Sequence, residues 1–309
     1  MDASPHKSDF VGANGIKLHY LDWGGEGDVL LFLAGMGNNA HIFDHLAPRF
    51  VDKFQVMALT RRGHGESDHP ETGYDVDTLT EDVRQFMDVL GIEKVILAGH
   101  SMASIELSHF SALYPKRVLK LIFLDAAYDR SSASYKNMRE KNPLRNIQPP
   151  GLDVDYYTEQ DYFAAMKRAY PSFTAVWSEA MEEQSLYEIM KTSEGKVVDR
   201  MSDTISKAIT DTLTSYVPED SKITTLTLGI FAIHNGAHFI SDDWMTEEQK
   251  VQIMEHFETT DNSWVKENIE NFQRNVPHAR TVEIPQGHHY CFIQKEDLVY
   301  EEMRRFLLD

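Results

Sequence analysis

An apolar run, Val95-Ile96-Leu97-Ala98, passes directly into Gly99-His100-Ser101-Met102-Ala103 and then into a segment with helical spacing, residues 104–113. No other feature restricts the fold of this chain as much. A strand that becomes a helix within five residues brings two backbones close together, and only small side chains fit where they pass. Gly99 and Ala103 stand two before and two after Ser101. The serine at the apex is then lifted clear of both elements. This is the G-x-S-x-G pattern of a nucleophile elbow, with Ala103 in place of the last glycine. The same five residues also suit an ordinary strand-to-helix turn with a serine cap. The rest of the chain decides between the two.

Around the elbow the pattern alternates. Residues 10–13 and 16–23 flank Asn14-Gly15, a two-residue hairpin turn. Residues 29–33 are continuously apolar, as in a strand buried on both faces, and 55–59 form a fourth strand. Leu79, Val83, Phe86, Met87 and Leu90 follow helical spacing and end at Gly91. Residues 118–124 are the strand after the elbow. Such alternation predicts a mostly parallel sheet with helices on both faces. It stops after Asp125. From about Tyr128 to Lys222 the spacing is helical and rich in aromatic residues and methionine, with almost no strand signal. Strands return at 224–233 and 280–284, separated by helical residues 246–273, and residues 292–308 close the chain as a helix. The expected organisation is a core of residues 1–126 and 222–309 interrupted by a helical insertion, residues 127–221.

The length of 309 residues suits one large α/β domain carrying such an insertion. A formal charge of −19 argues against nucleic acid or an anionic membrane as the main partner. The acidic residues after position 240, in Asp242-Asp243, Glu247-Glu248 and Glu255 to Asp261, are expected to lie on a solvated helical surface. Cys291 is the only cysteine, so neither an intrachain disulfide nor a Cys-based zinc site is expected. Residues 1–7 lack the apolar core of a signal peptide, and no run approaches a membrane-spanning length. A cytoplasmic location is therefore expected.

An activated serine needs a base, a group that orients the base, and donors for the oxyanion. The base is expected after the last strand, where the chain reads Pro285-Gln286-Gly287-His288-His289-Tyr290. Spacing to the closing helix favours His289, with His288 as the alternative. One oxyanion donor is expected from the Met102 N–H at the helix start. The other is expected from Met36 in the glycine-rich loop Ala34-Gly35-Met36-Gly37-Asn38-Asn39. For the acid, Asp125 closes the strand beyond the elbow, where it could accept from the histidine ring and stabilise imidazolium. Asp129 is the alternative, followed by Asp242 or Asp243. The loop after 224–233, His234-Asn235-Gly236-Ala237-His238, offers no carboxylate before Asp242. His64, in a polar glycine turn, is expected to pin that turn, and the His100 side chain is expected to point away from Ser101. His234 and His238 are four apart, but Gly236 between them spoils a helical metal pair. No metal site and no cofactor are expected.

With these residues placed, the chain resembles the α/β-hydrolase superfamily along nearly its whole length. The matching pieces are Leu33-Ala34-Gly35-Met36-Gly37, Arg62-Gly63-His64-Gly65-Glu66-Ser67, the Gly99-His100-Ser101-Met102 elbow and the C-terminal histidine loop. The resemblance implies an eight-stranded sheet, a helical cap after the sixth strand, and a Ser–His–Asp triad. Three departures stand out: Ala34 where a histidine is usual, Ala103 at the elbow, and no aspartate after the seventh strand, which moves the acid to Asp125. The implied activity is a serine hydrolase acting on a carboxylic ester, thioester or lactone. An amidase, an aminopeptidase-like enzyme or a carbon–carbon bond hydrolase would use the same triad, and a slowly turning ligand receptor could share the scaffold. Related epoxide hydrolases and dehalogenases need an aspartate at the position of Ser101. The expected partner is a small, partly hydrophobic molecule; nucleic acid and membrane insertion are not expected, and a homodimer is left open.

Overall fold

The computed structural model describes residues 6–151 and 154–309; the residues on which the signal-peptide reading chiefly rests, 1–5, lie outside it. Eight strands form one sheet: β1 (Lys7–Ala13), β2 (Ile16–Gly24), β3 (Val29–Leu33), β4 (Gln55–Leu59), β5 (Val95–His100), β6 (Val118–Leu124), β7 (Thr227–His234) and β8 (Ala279–Gly287). Their spatial order is β1-β2-β4-β3-β5-β6-β7-β8. The pairs β1–β2 and β2–β4 are antiparallel and all others parallel. Asn14 (φ 49°) and Gly15 (φ 76°) make the β1–β2 turn with two positive φ values, the geometry that Asn-Gly tolerates.

The central strands β3, β5 and β6 are apolar apart from Lys120 in β6 and His100 at the end of β5, because both sheet faces are covered. Alternate side chains go to opposite layers. Leu31, Leu97, Phe123 and Phe231 pack with Val83, Phe86, Leu107 and Phe110, from helices α1 (Val76–Val89) and α2 (Ala103–Leu113). Leu30, Phe32, Ile96, Ile122 and Ile230 pack with Phe43, Phe50 and the closing helix Glu296–Leu308 on the other side. Helix α2 is buried around most of its circumference, which fixes the direction in which it leaves the elbow.

The stretch between β6 and β7 carries helices including Ala133–Lys141, Glu159–Ala169, Glu179–Leu186 and Asp203–Ser215. It also contains a short antiparallel hairpin, Ile189–Lys191 with Val197–Asp199, which helical periodicity alone does not reveal. Three-residue strands are too short to leave an alternating pattern. Between β7 and β8, helices Glu247–His256 and Asn262–Asn275 are joined by a π-helical turn, Phe257–Asp261. No helix among the described residues is long and apolar enough to cross a membrane.

Candidate active site

β5 delivers the backbone to Ser101, which holds a left-handed φ of 55°. Its N–H donates to the Leu124 carbonyl at 3.3 Å, and its own carbonyl accepts from the Ser104 N–H at 3.2 Å. A Cβ on Gly99 would stand 2.7 Å from Leu107 Cδ1 and 2.8 Å from Ala103 Cβ. Ala103 is thus accommodated because Gly99 has no side chain. The departure from glycine at position 103 costs the elbow nothing in geometry.

Three side chains meet at the C-terminal edge of the sheet. The Ser101 hydroxyl is 2.9 Å from His289 Nε2, and His289 Nδ1 is 2.6 Å from Asp125 Oδ2. A carboxylate only accepts, so Nδ1 of His289 carries the proton and Nε2 offers its lone pair to the hydroxyl. Asp125 is fully buried, with a left-handed φ of 44° at the end of β6. Its other oxygen, Oδ1, accepts from the Tyr128 hydroxyl at 2.6 Å and the Ala232 N–H at 2.8 Å. Burial opposes the charge, but the His234 and His289 rings outweigh it and hold this carboxyl far below the ordinary carboxylate range.

The alternatives are occupied elsewhere. His288 is buried, and its Nδ1 accepts from the Tyr290 N–H at 3.0 Å; burial, then the neighbouring histidines, lower its pKa to about 3. Asp129 caps a turn by accepting from the Ser131 N–H and hydroxyl. Asp242 pairs with Lys250 at 2.7 Å and Asp243 with Arg168 at 2.7 Å, both on the surface. His64 is fully buried, with Nδ1 donating to the Arg62 carbonyl at 3.0 Å. His100 Nε2 donates to the His289 carbonyl at 3.0 Å, so this ring supports the loop that carries His289.

The loop after β3 folds against the elbow. A Cβ on Gly35 would lie 2.8 Å from His100 Nδ1 and 3.1 Å from Ser101 Cβ. The turn Gly35–Asn38 closes with Asn38 N–H to Gly35 O at 3.3 Å, and Gly37 takes φ 72°. Met36 lies within this turn. Met102 stands at the start of α2, where first-turn N–H groups have no intrahelical acceptor. Arg61 braces the loop from below: its guanidinium donates to the Ala34 carbonyl at 3.0 Å and pairs with the buried Glu106 of α2.

Sequence reasoning missed a second layer behind Asp125. His234, at the end of β7, places Nε2 3.2 Å from Asp125 Oδ2 and Nδ1 2.7 Å from Asp261 Oδ2. Asp261 corrects the expectation of a solvated acidic surface: it is 7% exposed. It sits in the π-helical turn, where each residue advances by less than in an α-helix and an acidic position is turned inward. The only sequence signal was a histidine at the strand end where an acid is usual.

A cavity of about 250 Å³ lies between the loop after β3 and the inserted segment, lined by Gly37, Asn38, Phe163, Phe173, Trp177 and Glu188 among others. Glu188 accepts from Asn39 Nδ2 at 2.7 Å and from the Gly65 N–H at 3.2 Å. Burial nevertheless pushes its carboxyl up to about 7. Away from the site, His6, His41 and Asp44, and likewise His19, His41 and Glu66, bring donor atoms within 4.8 Å of one another. His41 Nδ1 donates to Asp44 at 2.9 Å, His6 Nδ1 lies 3.0 Å from the other oxygen of the same carboxylate, and the His19 ring and Thr60 hydroxyl share a hydrogen bond of 2.9 Å, contacts that give these clusters a structural role.

A family model described as the alpha/beta hydrolase fold matches residues 28–296. A 2-(acetamidomethylene)succinate hydrolase of Mesorhizobium japonicum is 35% identical over 101 residues, 33% of this chain and 36% of that protein. Epoxide hydrolase 4 of Mus musculus is 31% identical over 115 residues, 36% of this chain and 32% of that protein. The matches thus span about a third of the length of these curated relatives. The crystal structure of E-2-(acetamidomethylene)succinate hydrolase superposes with a TM-score of 0.72 at 20% identity, covering 98% of this chain and 100% of that one.

Proposed function

This chain belongs to the alpha/beta hydrolase fold family, and from that premise we propose that it is a serine hydrolase that cleaves a carboxylic ester, thioester or lactone through an acyl-enzyme. The observation that carries this reading is the hydrogen-bonded line from Ser101 through His289 to Asp125. His289 Nε2 takes the proton as Ser101 Oγ attacks the carbonyl carbon. Asp125 holds the ring in the tautomer this requires and stabilises the imidazolium that forms. The N–H groups of Met36 and Met102 receive the oxyanion. His289 then returns the proton to the leaving group, and water, deprotonated by the same ring, releases the acyl group.

The nucleophile is an oxygen of serine, so the reading departs from the epoxide hydrolase relative, whose chemistry in this scaffold calls for an aspartate at that position. The inserted segment acts as a cap over the site, and its aromatic lining suits a small, partly hydrophobic substrate. A second reading, cleavage of an amide, has one specific observation in its favour: the named substrate of the Mesorhizobium japonicum relative contains an acetamido group.

The test combines labelling by a fluorophosphonate probe with turnover of a panel of activated esters, thioesters, lactones and amides. Labelling at Ser101 with turnover of acyl oxygen or sulfur esters is the expected result. Turnover confined to amides selects the second reading. Labelling without turnover of any panel member selects a ligand receptor on the same scaffold.

A further inference from the structure

His234 has a carboxylate on each ring nitrogen: Asp261 at Nδ1, 2.7 Å, and Asp125 at Nε2, 3.2 Å. Carboxylates only accept, so both nitrogens must carry protons and the ring is an imidazolium cation. The side chain is 11% exposed, and those of Asp125 and Asp261 are 0% and 9% exposed, so solvent does little to screen the group. The Asn262 side chain fixes the strand end beneath it, accepting from the His234 N–H at 2.7 Å and donating to its carbonyl at 2.9 Å. The other titratable groups around this row are His289, with its ring centroid 6.4 Å from that of His234, His238 and His288, whose protonation burial opposes, Tyr128, whose hydroxyl donates to Asp125 at 2.6 Å, and Arg130, beside the Tyr128 ring and unaltered by substitutions at His234 or Asp261. Burial works against the charge on His234, but the two carboxylates prevail and push it up to about 10.

We propose that His234 and Asp261 are positioning residues that lock Asp125 in place and set the net charge that His289 faces. This rests on the reading of His289 as the base. Asp125 alone would present one negative charge to that ring. His234 in contact with Asp125 would cancel it, and Asp261 behind His234 restores it. The row Asp261–His234–Asp125 therefore keeps a single negative charge, while Oδ2 of Asp125 is held between two rings. The arrangement makes up for the departure of the acid from β7 to β6: the side chain at the end of β7 still reaches the triad, as a cation that grips the displaced carboxylate.

Charge and packing have different signatures. His234→Gln keeps a donor toward Asp125 and removes the cation, so His289 faces more negative charge. Asp261→Asn leaves the cation and removes a carboxylate, so His289 faces less. The readout is the pH dependence of the fluorophosphonate labelling rate, which requires no knowledge of the substrate. Relative to the natural protein, its midpoint should rise in His234→Gln and fall in Asp261→Asn, each by roughly half a unit or more. Equal midpoints, or shifts in one direction for both variants, overturn the inference. Should either variant fail to fold, nitrogen-15 shifts of the histidine rings in the unaltered protein decide. Two protonated nitrogens on His234 from pH 6 to 8 are expected, and a neutral ring overturns the proposal. Absence of any labelling at Ser101 in the unaltered protein would instead defeat the hydrolase reading, while the ring shifts would still report on His234.

Discussion

His289 Nδ1 lies 2.6 Å from Asp125 Oδ2, although 164 positions separate the two residues in the chain. Two parallel strands bring them together. β6 ends at Leu124 and β8 ends at Gly287, with only β7 between them. Asp125 needs its left-handed backbone to aim the carboxylate across β7, and the Ala232 N–H of that strand holds one oxygen as it passes.

Replacing Ser101 with alanine removes the proposed nucleophile and little else. Labelling by a fluorophosphonate should vanish, and turnover should fall by roughly 10⁴-fold or more. The thermal midpoint should change little, because alanine carries a Cβ as serine does and bears the same left-handed φ at this position. Retention of full turnover in this variant would falsify the acyl-enzyme mechanism.

The two adjacent histidines should separate cleanly. His289→Ala is expected to abolish labelling with little change in stability, since its side chain is 31% exposed. His288→Ala should leave labelling within a few-fold but cost about 1–3 kcal/mol, because a buried ring and the acceptor of the Tyr290 N–H are both lost. Chemical denaturation alongside labelling kinetics measures both. The reverse pattern would make His288 the base.

Asp125→Asn keeps the shape of the side chain but can offer an N–H where His289 needs an acceptor. The ring then loses its tautomer and the support for its charged form, and the rate should drop by about 10⁴-fold. Asp129→Asn should leave the rate unchanged and cost about 1 kcal/mol or less, as expected for a turn cap. Steady-state assays of the two variants on one activated ester distinguish them.

Glu188 should make folding pH-dependent. In the unfolded chain its carboxyl titrates near 4.5, and in the folded protein near 7. Between those values the folded state holds a proton that the unfolded state has lost, so stability falls as pH rises from about 4.5 to 7. The contribution is on the order of 3 kcal/mol. Glu188→Gln should flatten the thermal midpoint over this window. An unaltered slope would assign it to another group.

Gly35 and Gly37 share a loop but should respond differently to alanine. At Gly35 the new methyl meets His100 and Ser101, so the labelling rate should fall by about tenfold or more. At Gly37 there is open space, and the cost is that of φ 72° for a residue with a Cβ, about 1 kcal/mol. Labelling rates set beside thermal midpoints would separate these effects.

The elements with a strong local signal were legible in the sequence. The Asn-Gly hairpin, the apolar central strands, α1 with its apolar spacing and Gly91 stop, and the small residues around Ser101 each follow from constraints that act within a few residues. The loop holding His288 and His289 could also be located, because it lies between the last strand and the closing helix, which both carry local patterns. Less was legible where contacts join distant segments. Tyr128 and His234 reach Asp125, and His100 supports the His289 loop, through approaches that leave no periodic trace. Asp261 reads as one more acid in a polar run; only the π-helical turn puts it in the interior.

The sequence alone thus determined the layered α/β architecture and the sharp bend at Ser101, since hydrophobic periodicity and backbone sterics are local properties. Only the tertiary structure decided which histidine meets the hydroxyl and which carboxylates stand behind it. Hydrogen bonds act over about 3 Å, and strand order, not position along the chain, sets which side chains come that close.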